Sequence, residues 1–122
     1  MKLLLIDDDA FLRDMYALKF TESGYEVEVA EGASQALLKM RQQKDFDIIL
    51  LDMVMPSMSG VELIKAIKSK FPDSKAKCIV LSNQGQEEDI REATAAGAIG
   101  YIIKAEAIPS DVVDKVKKLA KK

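Results

Sequence analysis

The sequence contains no histidine, a single cysteine, and no apolar run near the roughly 20 residues that a membrane span requires. Each absence removes a class of function. Without histidine there is no Ser-His-Asp or Cys-His catalysis, no His-ligated zinc and no imidazole base titrating near neutrality. One thiol, Cys78, makes neither an internal disulfide nor a multi-cysteine metal site. The apolar start, Met1 to Ile6, is too short for a signal peptide and runs straight into acids. A formal net charge of -2 gives the whole chain no pull toward nucleic acid or an anionic membrane. No linker of Pro, Gly and Ser and no internal repeat divides the 122 residues, so residues 1–122 are expected to form one domain. A cytoplasmic location is the matching expectation. Any chemistry must come from carboxylates, hydroxyls, lysine and backbone groups.

What is present is a rhythm of short apolar runs and longer segments of helical period, with 48% hydrophobic residues to build a core. Lys2 to Ile6 predicts a buried strand. Asp8 or Asp9 can cap the helix that follows, with Phe11, Met15, Leu18 and Phe20 expected on its inner side and Gly24 ending it. Tyr25 to Val29 alternates as a strand near a sheet edge does. Ala33 to Gln43 is a second helix with Ala36, Leu37 and Met40 inward. Phe46 to Leu51 is nearly continuous in apolar residues, the pattern of a central strand covered on both faces. Met53 to Gly60 is a turn-rich loop, and Val61 to Phe71 a third helix with Leu63, Ile64 and Ile67 inward, closed by Pro72. Lys77 to Leu81, Gln86 to Ala96 and Ile99 to Ile103 continue as strand, helix and strand. Pro109 and Ser110 open a last helix whose apolar stripe is Val112, Val113, Val116, Leu119 and Ala120. The register is therefore a (βα)5 α/β fold: a doubly wound, five-stranded parallel sheet with helices on both faces. Ligands of such sheets bind beyond the carboxyl ends of the strands, where the strand order reverses.

Four strand ends deliver reactive groups to that edge: Asp7-Asp8-Asp9, Asp52, Ser82 and Lys104. Taken singly, most have a plain explanation. Asp8 or Asp9 serves as a helix cap, Ser82 as another, and Lys104 as a solvated surface residue. Asp52 directly after Ile-Ile-Leu-Leu is harder to explain, and the combination harder still. Crowded carboxylates repel, so one takes up a proton or a cation sits among them. Oxygen ligands without Cys or His suit a hard ion such as Mg²⁺. A carboxylate beside it can attack phosphorus and form an aspartyl phosphate, while lysine, hydroxyl and a backbone N–H neutralise the phosphoryl oxygens.

At this point the chain resembles, over its whole length, the response-regulator receiver (CheY-like) domains of bacterial two-component systems. The resemblance is carried by Leu4-Leu5-Ile6-Asp7-Asp8-Asp9, Ile49-Leu50-Leu51-Asp52-Met53-Val54-Met55-Pro56 through Gly60, Val80-Leu81-Ser82-Asn83, and Ala96-Gly97-Ala98 leading to Tyr101-Ile102-Ile103-Lys104. It implies a flavodoxin-like strand order 2-1-3-4-5. It implies Asp52 as phosphoacceptor and Asp7 and Asp8 as the acidic pair organising Mg²⁺ (or Mn²⁺), with Asp8 ahead of Asp7 as direct ligand. Asp52 and the carbonyl of Val54 complete the metal ligands. Lys104 is implied as the phosphate-binding lysine, Ser82 as the switch hydroxyl, the backbone N–H of Asn83 as a phosphoryl contact, and Tyr101 as the aromatic that follows the hydroxyl. Val54 and Gln84 stand at positions that tune dephosphorylation in the family. Two residues depart from its pattern: Ala105 replaces the common proline after the lysine, where a cis bond would cost about 2.5–4 kcal/mol, and Asn83 replaces a small residue.

The implied function is a phosphoacceptor signalling domain, not an enzyme in the ordinary sense, although it assists its own phosphoryl transfer and autodephosphorylation. The donor is a histidine kinase or a histidine phosphotransfer protein. The output runs through the surface of helix four, strand five and helix five, to a downstream effector or a second copy, with no membrane or direct nucleic-acid contact expected. A pseudo-receiver, keeping the fold as an interaction module without phosphorylation, is the alternative. A flavodoxin-like nucleotide or flavin binder is disfavoured because three aspartates replace a phosphate-cradling loop after strand one. The lysines Lys115, Lys117, Lys118, Lys121 and Lys122 are expected to form a solvated face at the negative end of a helix dipole, ahead of a partner surface. Cys78 is expected to be a small core residue, and Met53, Met55 and Met58 either loop packing or an adaptable surface. With the fifth helix reaching the end of the sequence, both a single-domain regulator and a receiver from a longer protein are open.

Overall fold

The strands and helices alternate along the chain in a computed structural model that describes residues 1–121. The strands are β1 (Lys2–Ile6), β2 (Glu26–Ala30), β3 (Ile48–Leu51), β4 (Lys77–Ser82) and β5 (Gly100–Ile103). The helices between and after them are α1 (Ala10–Glu22), α2 (Ala33–Gln42), α3 (Gly60–Lys70), α4 (Glu87–Ala96) and α5 (Pro109–Ala120). A single 3-10 turn, Lys104–Glu106, leads from β5 toward α5. All pairings are parallel and the order is β2-β1-β3-β4-β5. The order reverses between β1 and β3, which are neighbours, so the ends of these two strands mark the expected ligand crevice.

Alternation of side chains along each strand builds one core on each face of the sheet. Leu4, Ile6, Ile49, Leu51 and Val80 pack with Ala36, Met40, Leu63, Ile64, Ile67 and Ala93 from α2, α3 and α4. Leu3, Leu5, Ile48, Leu50, Ile79, Leu81 and Ile102 pack with Tyr16, Phe20, Val112, Val113 and Val116 from α1 and α5. The central strand β3 is therefore fully buried, as its unbroken apolar run requires. Cys78 lies in the first core, where burial pushes its thiol up to about 11. Met53 and Met55 are buried in the same core and Met58 packs on it, so these methionines are loop and core packing.

The helix starts are chemically specified. Asp9, rather than Asp8, caps α1, its Oδ1 accepting from the Leu12 N–H at 3.1 Å. Ser59 and Glu62 form a reciprocal capping box at α3. Gln86 caps α4, so Ser82 is not a helix cap but the last residue of β4. Pro109 occupies the first turn of α5.

One inward face is corrected. Phe11 and Leu18 of α1 are 77% and 62% exposed, whereas Met15 and Phe20 face the core as expected, joined by the buried Tyr16 and by Leu12. Apolar residues run almost all round this helix, giving two stripes with equally good spacing. The stripe carrying two aromatic rings is the one that faces the sheet, and Phe20 meets Tyr25 edge-on at 5.2 Å between ring centres. Lys115, Lys117, Lys118 and Lys121 are exposed, with Lys117 and Lys118 in the last turn of α5; Lys122 lies outside the described residues. Among the described residues no helix is long and apolar enough to cross a membrane.

Candidate functional site

Beyond the carboxyl ends of β1, β3, β4 and β5, one open cleft of about 250 Å³ is lined by Asp7, Asp8, Asp9, Asp52, Val54, Ser82, Asn83, Gln84 and Lys104, with Leu12 at its side. Parallel strands that end level with one another bring these residues together from four separate segments. The centre is an ion triad. Lys104 Nζ donates to Asp7 Oδ2 at 2.7 Å and to Asp52 Oδ2 at 2.9 Å. Their side chains are only 7%, 2% and 12% exposed, so these charges sit in a poorly hydrated place. Burial alone pushes the Lys104 ammonium down, but hydrogen bonds and charge attraction from the two carboxylates outweigh it and hold its pKa above the ordinary lysine value. Lys104 is therefore a fixed cation and not a solvated surface residue.

The remaining carboxylate oxygens are also directed. Asp7 Oδ1 accepts from the Asp9 N–H at 3.0 Å, and Asp52 Oδ1 from the Val54 N–H at 3.1 Å. Asp8 is exposed at the mouth. Carboxylate oxygens of Asp7, Asp8 and Asp52 lie within 4.8 Å of one another. Three carboxylates against one ammonium leave two negative charges, which one divalent cation balances, and an all-oxygen donor set suits a hard ion.

Ser82 is buried, and its Oγ accepts from the Gln84 N–H at 3.2 Å. Tyr101 lies outside the cleft lining but donates its hydroxyl to the Gln84 carbonyl, which ties β5 to the loop after β4. Burial first, then the charges of Asp89 and Asp52, raise the Tyr101 pKa, so the phenol stays protonated and a donor. Asn83 is exposed beside Ser82. The Lys104–Ala105 bond is trans, since the described residues contain no cis peptide, and the chain there enters the 3-10 turn.

Two further contributors brace the site, of which only Arg13 carries no sequence signal of its own. Arg13 Nη1 donates to the Asp7 carbonyl at 3.1 Å, bracing the β1–α1 junction across six residues. Gly60 is the second: a Cβ there would lie 2.6 Å from the Asp52 carbonyl oxygen and 2.9 Å from Met53 Cα, both backbone atoms. The start of α3 thus rests directly against the Asp52 main chain, and the Gly60 N–H donates to the Met53 carbonyl at 2.9 Å.

A flavodoxin-like sheet with a carboxylate–lysine cluster at its switch point has the architecture of a signalling receiver. Residues 3–117 match the model of the response regulator receiver domain, and the chain belongs to that family. It is 39% identical over 121 residues to the chemotaxis protein CheY of Thermotoga maritima, covering 98% of both chains. It is 35% identical to CheY of Bacillus subtilis over 84% of each. The solved structure of chemotaxis protein CheY4 from Vibrio cholerae superposes with a TM-score of 0.88 at 30% identity, over 97% of both chains. The transcriptional regulatory protein ResD of Bacillus subtilis is 31% identical, and the chain spans 48% of its length. The protein is accordingly a response regulator receiver domain of the two-component type.

Proposed function

We propose that the whole chain works as one receiver that accepts a phosphoryl group on Asp52 from a phosphohistidine of another protein. The sequence has no histidine, so the donor must be external, a histidine kinase or a histidine phosphotransfer protein. The observation that carries this reading is the clamp on Asp52. A buried carboxylate at the end of the central strand is held through both oxygens, by the Val54 N–H and the Lys104 ammonium, at the floor of an open cleft.

The chemistry follows from those groups. An Asp52 carboxylate oxygen forms the new O–P bond as the donor N–P bond breaks, and the bonding pair leaves with the imidazole. Asp7, Asp8 and Asp52, with the Val54 carbonyl, would hold Mg²⁺ (Mn²⁺ as substitute), which when bound supplies positive charge to the transferring phosphoryl oxygens. Lys104 neutralises a second oxygen, and Ser82 Oγ with the Asn83 N–H is within the lining to bond a third. The dianion formed on Asp52 draws Ser82 toward it, and Tyr101 follows through its bond to Gln84. The face of α4, β5 and α5 then changes between two states that an effector or a second copy reads.

Incubation with a small phosphodonor and Mg²⁺ should give an acid-stable, base-labile adduct on the wild type and none on Asp52→Asn. Equal labelling of the two, or no adduct on the wild type, would reject phosphorylation at Asp52 and leave an interaction module.

A further inference from the structure

The loop after Ser82 is held by two side chains of β5, and the hydroxyl of Tyr101 accounts for one of them. The other is Ile103, two residues on and therefore on the same face of the strand. A Cβ built on Gly85 would stand 2.5 Å from Ile103 Cδ1 and 2.9 Å from Cγ1, and its three nearest neighbours all belong to Ile103. Gly85 does not have the positive φ that favours glycine; among the described residues only Gly24 and Gly97 do. Backbone conformation therefore gives no reason for a glycine here, whereas room for Ile103 does. Ile103 is also the strand partner of Ser82 and the residue before Lys104. The Gln84 N–H donates to Ser82 Oγ, so Ile103, Gly85, Gln84 and Ser82 form one connected path.

We propose that Ile103 is a positioning residue that holds the Ser82–Gly85 loop in its resting place by filling the gap Gly85 leaves. The proposal rests on the Asp52 switch described above, because a fastening of the resting loop matters only if Ser82 moves. A contact made at rest and loosened on movement biases the two-state equilibrium toward rest. Ile103→Val removes Cδ1, the atom nearest to Gly85, and should ease the switch. Gly85→Ala crowds the same contact and should act in the same direction. The double variant moves one methyl group across the contact and should restore it.

The chain contains three tyrosines, so labelling with 3-fluorotyrosine gives three ¹⁹F resonances, of which Tyr101→Phe identifies one. The probe is beryllium trifluoride with Mg²⁺, a phosphoryl mimic, titrated while the Tyr101 resonance is followed. Ile103→Val is expected to lower the titration midpoint about 2- to 10-fold. In the probe-free variant the Tyr101 resonance should already be displaced toward its bound position. Gly85→Ala should also lower the midpoint, and Gly85→Ala/Ile103→Val should return it to within about twofold of the wild type. An unchanged midpoint in Ile103→Val, or single effects that merely add in the double variant, overturns the positioning role. A wild type in which no tyrosine responds rejects the Asp52 switch itself, a failure visible before any variant is made.

Discussion

Lys104 decides the electrostatics at the scale of single residues, because it is the cation between two nearly buried carboxylates. Its loss leaves Asp7 and Asp52 facing each other without a counter-charge. Lys104→Met is expected to lower the unfolding free energy by about 3 kcal/mol in the presence of chelator. Millimolar Mg²⁺ should shrink that deficit, since a divalent ion supplies the missing positive charge. Urea denaturation with and without Mg²⁺ measures both, and a deficit indifferent to Mg²⁺ would argue against a cation site in the cluster. Cys78 gives the pH prediction. Its thiol is neutral in the fold up to about pH 11, whereas an unfolded thiol ionises near its ordinary value of 9.0. A pKa raised by folding means stability that is intact below the unfolded pKa and lost as pH rises through the folded one. Between about pH 9 and 11 the stability of the wild type relative to Cys78→Ala should fall by ~2–3 kcal/mol. Paired denaturation curves across that window are the check.

At the scale of elements, the junction of β3 and α3 is where packing and site meet. Gly60→Ala places a Cβ against the Asp52 carbonyl, so the backbone of Asp52 must shift. A cost of about 1–3 kcal/mol and slower labelling of Asp52 are expected. Ser59→Ala removes the cap of the same helix and should cost ~1 kcal/mol while leaving the labelling rate unchanged. Element order, parallel pairing and the gathering of Asp7, Asp52, Ser82 and Lys104 were legible in the residues, because parallel topology follows from alternation and strand ends were marked by polar residues after apolar runs, whereas the strand order came from the family resemblance. The inward face of α1 was legible only in part: Met15 and Phe20 were read correctly, but Phe11 and Leu18 have as good a helical spacing as Leu12 and Tyr16, and only the three-dimensional fit of the side chains chooses. Arg13, and the close contact that Gly60 makes, escaped notice for a related reason. Each acts on main-chain atoms of another segment, and no periodicity records such a contact.

For the molecule as a whole, the proposed ion site is linked to folding, since the carboxylates of the cluster come together only in the folded chain. Mg²⁺ should raise the melting temperature progressively with concentration, the stabilisation growing by about 1.4 kcal/mol per tenfold increase once binding is saturated. Asp8→Asn should flatten that response with little loss of metal-free stability, because Asp8 is exposed and is not the cap of α1. Thermal melts across a Mg²⁺ series test it, and a parallel rise in both proteins would exclude Asp8 as a ligand.

The triad also joins distant parts of the sequence: Lys104 reaches back 52 residues to Asp52 and 97 to Asp7. On the ribosome, both acids are translated well before their lysine. A nascent chain stalled short of Lys104 carries the Asp52 carboxylate without its clamp. The clamp on Asp52 is therefore complete only once the chain has been made through the end of β5.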